Sequence, residues 1–498
     1  MDDFDVIVVG AGPVGENVAD RARAAGLSVA LVENERAGGE CSYWACMPSK
    51  ALLRPPAALA EARAVAGARE AAGGRLDAGA VLARRDSFAA HWDDAGQVRW
   101  IDSTGAEFLR GHGRLDGPRR VTVEDAHGGR RTLTARHAVA VCTGTRAKIP
   151  GLPGLARAGS GGGSPDGSAD AGADVDTDAG VRPWTNREGT AASSVPDALA
   201  VVGGGPVAVE LASAWQALGS SVTLLVRGAG VLDRMESFVG EYVTEGLRAA
   251  GVDVRLGTEA AEVARTAPDG PVTVRLRGGG ELRVDEILFA TGREPRTDDI
   301  GLDTVGLEPG AWLDVDDSCR VDGVRGGWLY GVGDVNHRAL LTHQGKYQAR
   351  IAGAAIAARA AGVPLLESDR WGAHAATADH DAVPQVVFCH PEAASVGRTA
   401  AQAEAAGLRV RAVDQDLGAV AGASLFGDDY RGRARMVVDE DRRVLVGVTF
   451  VGPGVSELLH AATVAVAAEV PVERLWHAVP AYPTMSEVWL KLLEGYRG

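Results

Sequence analysis

The feature that most constrains the fold is a glycine-rich turn between a short apolar run and a helical segment. The run at 5–9 is followed by the turn Gly-Ala-Gly-Pro-Val-Gly at 10–15, a helical stretch and a second apolar run at 28–33. The same order recurs between residues 199 and 226. Strand, glycine turn, helix and strand together predict a βαβ unit. Two such units predict two dinucleotide-binding domains in an α/β fold.

The first turn carries the complete dinucleotide fingerprint. Gly10 permits the tight turn, Gly12 lets the backbone approach a pyrophosphate, and Gly15 lets the helix pack on the strand. The start of the helix supplies N–H groups for the phosphates. Glu33 closes the second strand, where a carboxylate holds a ribose hydroxyl. This context predicts a nucleotide site rather than a plain glycine turn.

The second fingerprint consists of Gly203, Gly205 and Ala208. The position that carried Glu33 in the first unit is a valine here, and Arg227 follows it. An arginine at this place favours a 2′-phosphate, with Arg234 as a second candidate partner. The alternative is that Arg227 is a solvated loop residue. We therefore expect NADPH, with NADH less favoured.

The segment at 38–50, Gly-Gly-Glu-Cys-Ser-Tyr-Trp-Ala-Cys-Met-Pro-Ser-Lys, holds two cysteines. Cys41 and Cys46 are spaced to close a disulfide across one helical turn. A pair of core thiols and half of a metal site are the alternatives. No second Cys/His pair of suitable spacing follows, which weakens the metal interpretation, and no metal site is predicted.

This cysteine segment resembles the redox-active disulfide of the flavin-dependent pyridine nucleotide-disulfide oxidoreductases, the family of lipoamide dehydrogenase, glutathione reductase and mercuric ion reductase. The similarity extends over nearly the whole chain. Further positions of this chain resemble the cofactor-binding motifs of the family. They are Thr143 and Gly144, Gly292, Asp334, and the helix start at Thr342 and His343. Residues 383–498 resemble the dimerisation domain of the family.

The resemblance implies a cofactor and a role for each site residue. FAD occupies the first dinucleotide site and passes electrons from the nicotinamide nucleotide to the disulfide. Cys46 then lies at the flavin, and Cys41 exchanges with the acceptor. Lys50 lies beside the flavin and pairs with Glu210, where a cation favours the negative charge of the reduced ring.

Two departures from the family bear on the acceptor. The loop between the cysteines holds Tyr43, Trp44 and an alanine where small or polar residues are usual. The tail reads Tyr-Pro-Thr-Met-Ser-Glu from Tyr482 to Glu487, so a tyrosine replaces the acid–base histidine. Tyr482 either donates a hydrogen bond to a leaving thiolate or packs at the dimer interface. We expect poor turnover of lipoamide and glutathione disulfide.

Length, composition and motifs together define the expected organisation. The chain has 498 residues, a net charge of −15 and five cysteines. No signal-peptide pattern is visible and no apolar run is long enough to span a membrane, so we expect neither. These features argue against nucleic-acid and membrane partners and favour the cytoplasm. We expect an FAD-binding domain at 1–156, a disordered Gly/Ala/Asp-rich insertion at 157–182 and an NAD(P)H-binding domain at 183–290. A second FAD-binding part should follow at 291–370, with an alanine-rich helix over about 342–361. The last segment, at 383–498, should be an α+β dimerisation domain.

The sequence therefore predicts a homodimeric FAD enzyme that uses a nicotinamide nucleotide to reduce a disulfide or another small electrophilic acceptor. The alternatives are a mercuric-reductase-like or quinone-reducing flavoenzyme and a homologue of lipoamide dehydrogenase. From another class, the chain could be a flavin-binding pseudoenzyme dimer. The intact Cys41, Cys46, Lys50 and Glu210 argue against that last possibility.

Overall fold

The computed structural model describes residues 2–156, 180–267, 270–366 and 368–498. Residues 157–179, most of the predicted insertion, lie outside the described residues. The chain divides into two compact units, each built from three segments. The first contains Met1–Cys46, Ala90–Arg146 and Arg293–Val383, and the second contains Met47–Ala89, Ala147–Gly292 and Pro384–Gly498.

The strands are numbered in chain order. They are β1 (Asp2–Val9), β2 (Val29–Glu33), β3 (Glu107–Arg110), β4 (His112–Leu115), β5 (Arg120–Glu124), β6 (Arg130–Val141), β7 (Thr145–Ala147), β8 (Ala198–Val202), β9 (Ser221–Val226), β10 (Asp253–Leu256), β11 (Ala260–Arg265), β12 (Val272–Leu276), β13 (Glu281–Val284), β14 (Glu286–Phe289), β15 (Arg293–Pro295), β16 (Leu329–Gly331), β17 (Pro384–Val387), β18 (Glu392–Gly397), β19 (Val410–Asp416), β20 (Arg433–Asp439) and β21 (Val444–Gly452).

The α-helices are numbered in the same way. They are α1 (Pro13–Ala24), α2 (Gly39–Tyr43), α3 (Cys46–Arg63), α4 (Ala68–Ala71), α5 (Ala78–Phe88), α6 (Ala95–Thr104), α7 (Asn186–Ala191), α8 (Pro206–Ala217), α9 (Ser237–Ala249), α10 (Thr342–Ala360), α11 (Ala378–Asp381), α12 (Ala400–Ala405), α13 (Ala421–Phe426), α14 (Leu459–Ala467), α15 (Val472–Leu475) and α16 (Val488–Arg497). Short 3₁₀ helices cover Ala90–Trp92, Leu302–Val305, Asp334–Asn336, Leu417–Ala419, Val455–Leu458 and Met485–Glu487.

The first unit is built around one mixed sheet in the order β3-β2-β1-β6-β5-β4, with β16 also paired to β6. The strands β1, β2, β3, β6 and β16 run parallel, whereas β4 and β5 are antiparallel additions. Both faces of β1 are covered: Val6 and Val8 belong to the core that includes α1 and α10, and Ile7 faces a second core. This burial on both sides explains why β1 is an uninterrupted apolar run.

The second unit contains three sheets. The strands β10-β9-β8-β14 form a parallel sheet, β11-β12-β13 form a small antiparallel sheet, and β17-β18-β21-β20-β19 form a five-stranded antiparallel sheet. One apolar core joins α8, α9 and the parallel sheet to Val387, Cys389 and Val451. The parallel sheet with its glycine turn, and the antiparallel sheet with its C-terminal helices, confirm the predicted mixed α/β fold.

The limits of the five segments expected from the sequence remain predictions. Residues Met47–Ala89 cluster with the second unit, whereas the predicted FAD-binding domain at 1–156 includes them. Among the described residues, no helix combines the length and the apolar character that crossing a membrane requires.

Candidate functional site

The first glycine turn lies at the carboxyl end of β1, where a parallel sheet binds its ligands. Glu33 ends β2 beside this turn. One of its carboxylate oxygens accepts a hydrogen bond from the Ala11 N–H at 2.8 Å, and the other accepts one from the Glu35 N–H at 2.8 Å. Burial raises the pKa of Glu33. Each oxygen retains a lone pair, so Glu33 both shapes the turn and can accept from a ribose hydroxyl.

The space around this turn fits a dinucleotide. A Cβ added at Gly15 would lie 1.9 Å from the Gly10 carbonyl oxygen, so α1 packs directly on the turn. A Cβ at Gly12 would have the Gly39 Cα as its nearest neighbour, at 3.9 Å, so the backbone there is open to a ligand. The buried Thr143 hydroxyl has no hydrogen-bond partner among the described residues. An open glycine and an orphaned buried hydroxyl are what a bound FAD would satisfy.

Cys41 and Cys46 lie side by side, and no disulfide joins them in this structure. Cys41 is in α2, and Cys46 is the first residue of α3, with its sulfur 3.2 Å from the hydroxyl of Thr342. Thr342 in turn begins α10. The sulfur of Cys46 and burial raise the pKa of Cys41, whereas Thr342 and the charge of Lys346 lower it. The starts of α3 and α10 therefore meet at Cys46, while burial and the neighbouring sulfur disfavour the thiolate of Cys41.

Glu40 ties the cysteine segment to a network of charged groups. Its carboxylate accepts hydrogen bonds from Arg293 at 2.7 Å and Arg296 at 3.2 Å. Arg293 also donates to the Thr145 hydroxyl at 2.8 Å, and Thr145 donates to Asp334 at 2.9 Å. Burial raises the pKa of Asp334, while Thr145 and Arg293 oppose that rise. The network links the residue before Cys41 to the predicted flavin-binding aspartate.

The unusual aromatic residues between the cysteines are buried rather than exposed. Tyr43 and Trp44 are almost fully buried, with ring centroids 5.7 Å apart in an edge-to-face arrangement. The Tyr43 hydroxyl donates to the Ala37 carbonyl at 3.0 Å, and burial raises its pKa to about 12. These side chains anchor the segment in the first unit, which accounts for the departure from the small residues expected there.

In the second unit, Lys50 and Glu210 form the predicted ion pair. Lys50 Nζ lies 2.6 Å from the Glu210 carboxylate, whose other oxygen accepts from the Phe388 N–H at 2.9 Å. The ammonium is also 5.2 Å from the centre of the Phe388 ring. The Glu210 side chain is only 6% exposed, so its charge is held in place by two donors.

The second glycine turn has the same construction as the first. A Cβ at Gly203 would lie 2.3 Å from the Ala290 carbonyl oxygen, whereas a Cβ at Gly205 would meet nothing within 4 Å. Arg227 follows β9 with 86% of its side chain exposed, and its Nε is 4.0 Å from Glu259. Glu259 also pairs with Arg277 at 2.7 Å. Sequence reasoning missed Glu259 because it follows β10, a strand later.

The remaining candidate residues are spread over both units. Ala208 is fully buried in α8, and Arg234 is exposed. Gly144 lies directly after Thr143, the Gly292 carbonyl accepts from the Lys148 N–H, and His343 is exposed at the start of α10. In the tail, Tyr482 is 76% exposed and Glu487 is partly buried. Sequence reasoning missed Glu40, Arg296 and Lys346. Only Glu40 could have been found from the sequence, because it directly precedes Cys41.

Relatives of different activity resemble this chain to the same degree. It is 30% identical to a dihydrolipoyl dehydrogenase of Haloferax volcanii over 99% of this chain and 96% of that protein. It is also 30% identical to a mercuric reductase of Acidithiobacillus ferrooxidans over 97% of this chain and 81% of that protein. The solved HOCl-induced flavoprotein disulfide reductase RclA from Escherichia coli has a TM-score of 0.77 at 21% identity, covering 99% of each chain.

Family models cover most of the sequence. Residues 4–361 match the pyridine nucleotide-disulphide oxidoreductase family, and residues 383–493 match its dimerisation domain. The matches confirm the predicted resemblance and the fold, with two Rossmann-like dinucleotide-binding domains followed by a C-terminal α+β dimerisation domain. FAD and a pyridine nucleotide are the cofactors of this family. The chain belongs to the pyridine nucleotide-disulphide oxidoreductases.

Proposed function

We propose that this chain is an FAD-dependent NAD(P)H oxidoreductase that reduces a disulfide or another small electrophilic acceptor through Cys41 and Cys46. The observation that carries the proposal is the pair of thiols at the starts of α3 and α10, with Thr342 3.2 Å from the Cys46 sulfur. FAD, when bound, supplies the two-electron exchange between the nicotinamide nucleotide and the cysteine pair.

The thiol pair has a balanced reaction with a disulfide acceptor. The Cys41 sulfur attacks one acceptor sulfur and the acceptor bond breaks, releasing a thiol and leaving a mixed disulfide. The Cys46 sulfur then displaces the second acceptor thiol and closes the Cys41–Cys46 bond. The two protons of the pair leave with the two product thiols. Because Cys46 and burial raise the pKa of Cys41, its proton must be removed during the attack.

Lys50 and Glu210 form the second part of the proposed machinery. Lys50 lies one turn after Cys46 on α3, and Glu210 fixes its ammonium with a 2.6 Å contact. In this proposal the ammonium compensates negative charge at the reduced flavin. Glu210 is a positioning residue, because it acts through Lys50.

The proposed nicotinamide nucleotide is NADPH. Arg227 is exposed beside the second glycine turn, and its nearest carboxylate, Glu259, is already held by Arg277 at 2.7 Å. Arg227 is thus free to contact a 2′-phosphate, and a charge-assisted contact of this kind is worth about 1.5–3 kcal/mol. Arg227→Gln should lose about tenfold or more in kcat/KM for NADPH but little for NADH. A preference for NADH that Glu259→Gln abolishes would instead assign the ribose to Glu259.

The proposed acceptor is one that needs no strong base. Tyr482 stands where the family has its acid–base histidine, and a phenol is a poorer proton carrier than an imidazole. A disulfide with an easily leaving thiol therefore suits the site better than lipoamide or glutathione disulfide. A soft metal ion as substrate is the second candidate, favoured by Tyr482 and by the similarity to a mercuric reductase.

The test is an acceptor screen with the purified flavoenzyme. NADPH oxidation is followed with an aromatic disulfide, glutathione disulfide, a quinone and Hg(II). Cys41→Ser and Cys46→Ser should each abolish disulfide reduction while leaving quinone reduction measurable. Cys389→Ala, which alters a buried cysteine outside the pair, is the matched control. Full disulfide turnover in both serine variants would refute the proposal.

A further inference from the structure

The first unit contains a second concave site, away from its glycine turn. A pocket of about 130 Å³ is lined by Arg119, Arg136 and His137 with Tyr330 and Arg359, and its other lining residues are uncharged. The glycine turn and Thr143 lie at the carboxyl ends of β1 and β6, whereas the pocket reaches β6 at 136–138. Thr143 lies five residue steps beyond Ala138 along the chain, which is roughly 17 Å where the chain is extended. The pocket is therefore distinct from the proposed flavin site.

The charge in this pocket is poorly neutralised. Arg136 is paired with Asp5 at 2.7 Å. Arg359 donates to the Gly326 carbonyl at 3.0 Å, but no carboxylate of the described residues pairs with it. The exposed Arg119 likewise has no ion-pair partner in the part of the chain that the structure describes. The pocket therefore presents two guanidinium groups that no carboxylate of the described residues pairs with.

A buried donor at the pocket also lacks an acceptor. Tyr330 is 1% exposed, and no acceptor for its hydroxyl proton is found among the described residues. The Arg359 guanidinium faces the oxygen of this hydroxyl, where its charge and a hydrogen bond oppose the rise in the pKa of Tyr330. Burial raises the pKa of Tyr330, so its phenol is protonated at neutral pH and able to donate. Buried donors without acceptors cost free energy, and a bound anion would remove that cost.

We propose that this pocket binds a phosphate group, either as inorganic phosphate or as the terminal group of a small phosphomonoester. Guanidinium groups, a protonated phenol and Arg359 Nη1 are all donors, so the ligand must be rich in acceptors and negatively charged. The volume is that of about four waters in the liquid, which leaves room for a tetrahedral oxyanion inside the pocket. The donors also outnumber the two oxygens of a simple carboxylate.

The test is equilibrium binding of inorganic phosphate to the flavin-loaded enzyme, measured by calorimetry at low ionic strength. Wild type should bind one phosphate per chain in this pocket. Arg359→Gln should weaken binding about tenfold or more, since a charge-assisted hydrogen bond is lost. Tyr330→Phe keeps the ring and removes only the hydroxyl, and should weaken binding severalfold. Arg119→Gln changes an exposed, unpaired side chain, so a loss of binding there cannot be attributed to misfolding.

Two controls separate this site from other phosphate sites. Arg130→Gln alters an exposed arginine of β6 that is paired with Glu124, and should bind phosphate like wild type. Arg227→Gln should also leave this binding unchanged. Tighter binding of glycerol phosphate than of phosphate would identify a phosphomonoester, and the reverse order would identify free phosphate. The proposal is overturned if phosphate does not bind, if acetate binds equally well, or if Arg227→Gln rather than Arg359→Gln abolishes binding.

Discussion

Glu210 connects two parts of the second unit through its two oxygens. One oxygen contacts the Lys50 ammonium and the other accepts from the Phe388 N–H, which lies just after β17. The carboxylate is buried, while Lys50 is partly exposed. Loss of the Glu210 carboxylate would leave the Phe388 N–H and the Lys50 ammonium without their acceptor.

Replacing Glu210 should separate these two contributions. Glu210→Ala removes both acceptors and should cost about 1–2 kcal/mol of stability. Glu210→Gln retains an acceptor for Phe388 and should cost less than about 1 kcal/mol, because the exposed side of the ion pair is screened. Apparent urea midpoints of the holoenzyme measure the difference. Equal midpoints for the two variants would show that the hydrogen bond to Phe388 contributes nothing.

The site illustrates what a sequence can and cannot predict at the scale of residues. Cys41, Cys46 and Lys50 stand in one short segment with a specific spacing, so they were recognisable. The contacts of Glu40 with Arg293 and Arg296 join positions more than 250 residues apart in the chain. No local pattern encodes such a contact, because it exists only once the strands of the first unit are assembled.

A substitution at Tyr482 should show whether the absence of a histidine at this position limits disulfide turnover. Tyr482→His should raise turnover of glutathione disulfide or lipoamide, because an imidazole with a pKa near 6.5 exchanges protons at neutral pH. A well-placed general base contributes about 10²–10⁴ in rate, so a gain of tenfold or more is expected even from imperfect placement. Steady-state kinetics with both substrates provide the measurement.

The companion variant is Tyr482→Phe, which keeps the ring and removes the hydroxyl. It should slow thiol chemistry and spare quinone reduction. Wild-type turnover of glutathione disulfide or lipoamide that is already fast and that Tyr482→His does not improve would show that this site needs no base at position 482.

At the scale of elements, the two glycine turns form a matched pair. In each, the first glycine lies against a carbonyl: a Cβ would lie 2.5 Å from the Cys142 oxygen at Gly10 and 2.3 Å from the Ala290 oxygen at Gly203. The second glycine is open in both turns, at Gly12 and Gly205. The first glycine of each turn therefore permits close backbone packing, whereas the second leaves room for a ligand.

Alanine substitutions at the open positions should therefore affect cofactors without unfolding the chain. Gly12→Ala should fold but purify with much less FAD, since its methyl group occupies the space of the pyrophosphate. Gly205→Ala should retain FAD and raise KM for the nicotinamide nucleotide about tenfold or more. The flavin-to-protein absorbance ratio and steady-state kinetics report these outcomes. Normal flavin content and kinetics in both variants would contradict the assignment of the two sites.

Elements with strong local signals were predictable, and assemblies were not. The alanine-rich segment predicted over about 342–361 is the helix α10 at Thr342–Ala360. The small antiparallel sheet of β11, β12 and β13 was not predicted. Its strands are held by pairing with one another, and their alternation is short and interrupted by turn residues. Pairing partners cannot be read from the composition of a single strand.

At the scale of the whole molecule, the C-terminal part of the second unit exposes large apolar side chains. Val479 is 87% exposed, and Leu425 and Val464 are at least half exposed, as is Tyr482. These residues fall within the stretch that matches the dimerisation domain of the family. We propose that these exposed apolar side chains lie in an interface with a second copy of the chain.

Placing a charge on this surface should separate the subunits. Val479→Asp buries a carboxylate in the proposed dimer interface, and an unpaired buried charge is strongly unfavourable there. Sedimentation should show a dimer for wild type and monomers for the variant. Val363→Asp, which alters an exposed valine of the first unit, is the matched control and should remain dimeric.

The monomer should also separate flavin binding from acceptor reduction. The first glycine turn, Glu33 and Thr143 all belong to one chain, so Val479→Asp should retain FAD. If the tail bearing Tyr482 and Glu487 completes the site of the partner, as the family resemblance implies, disulfide reduction should fall with the dimer fraction while quinone reduction persists. A monomeric variant with undiminished disulfide turnover would show that each chain contains a complete acceptor site.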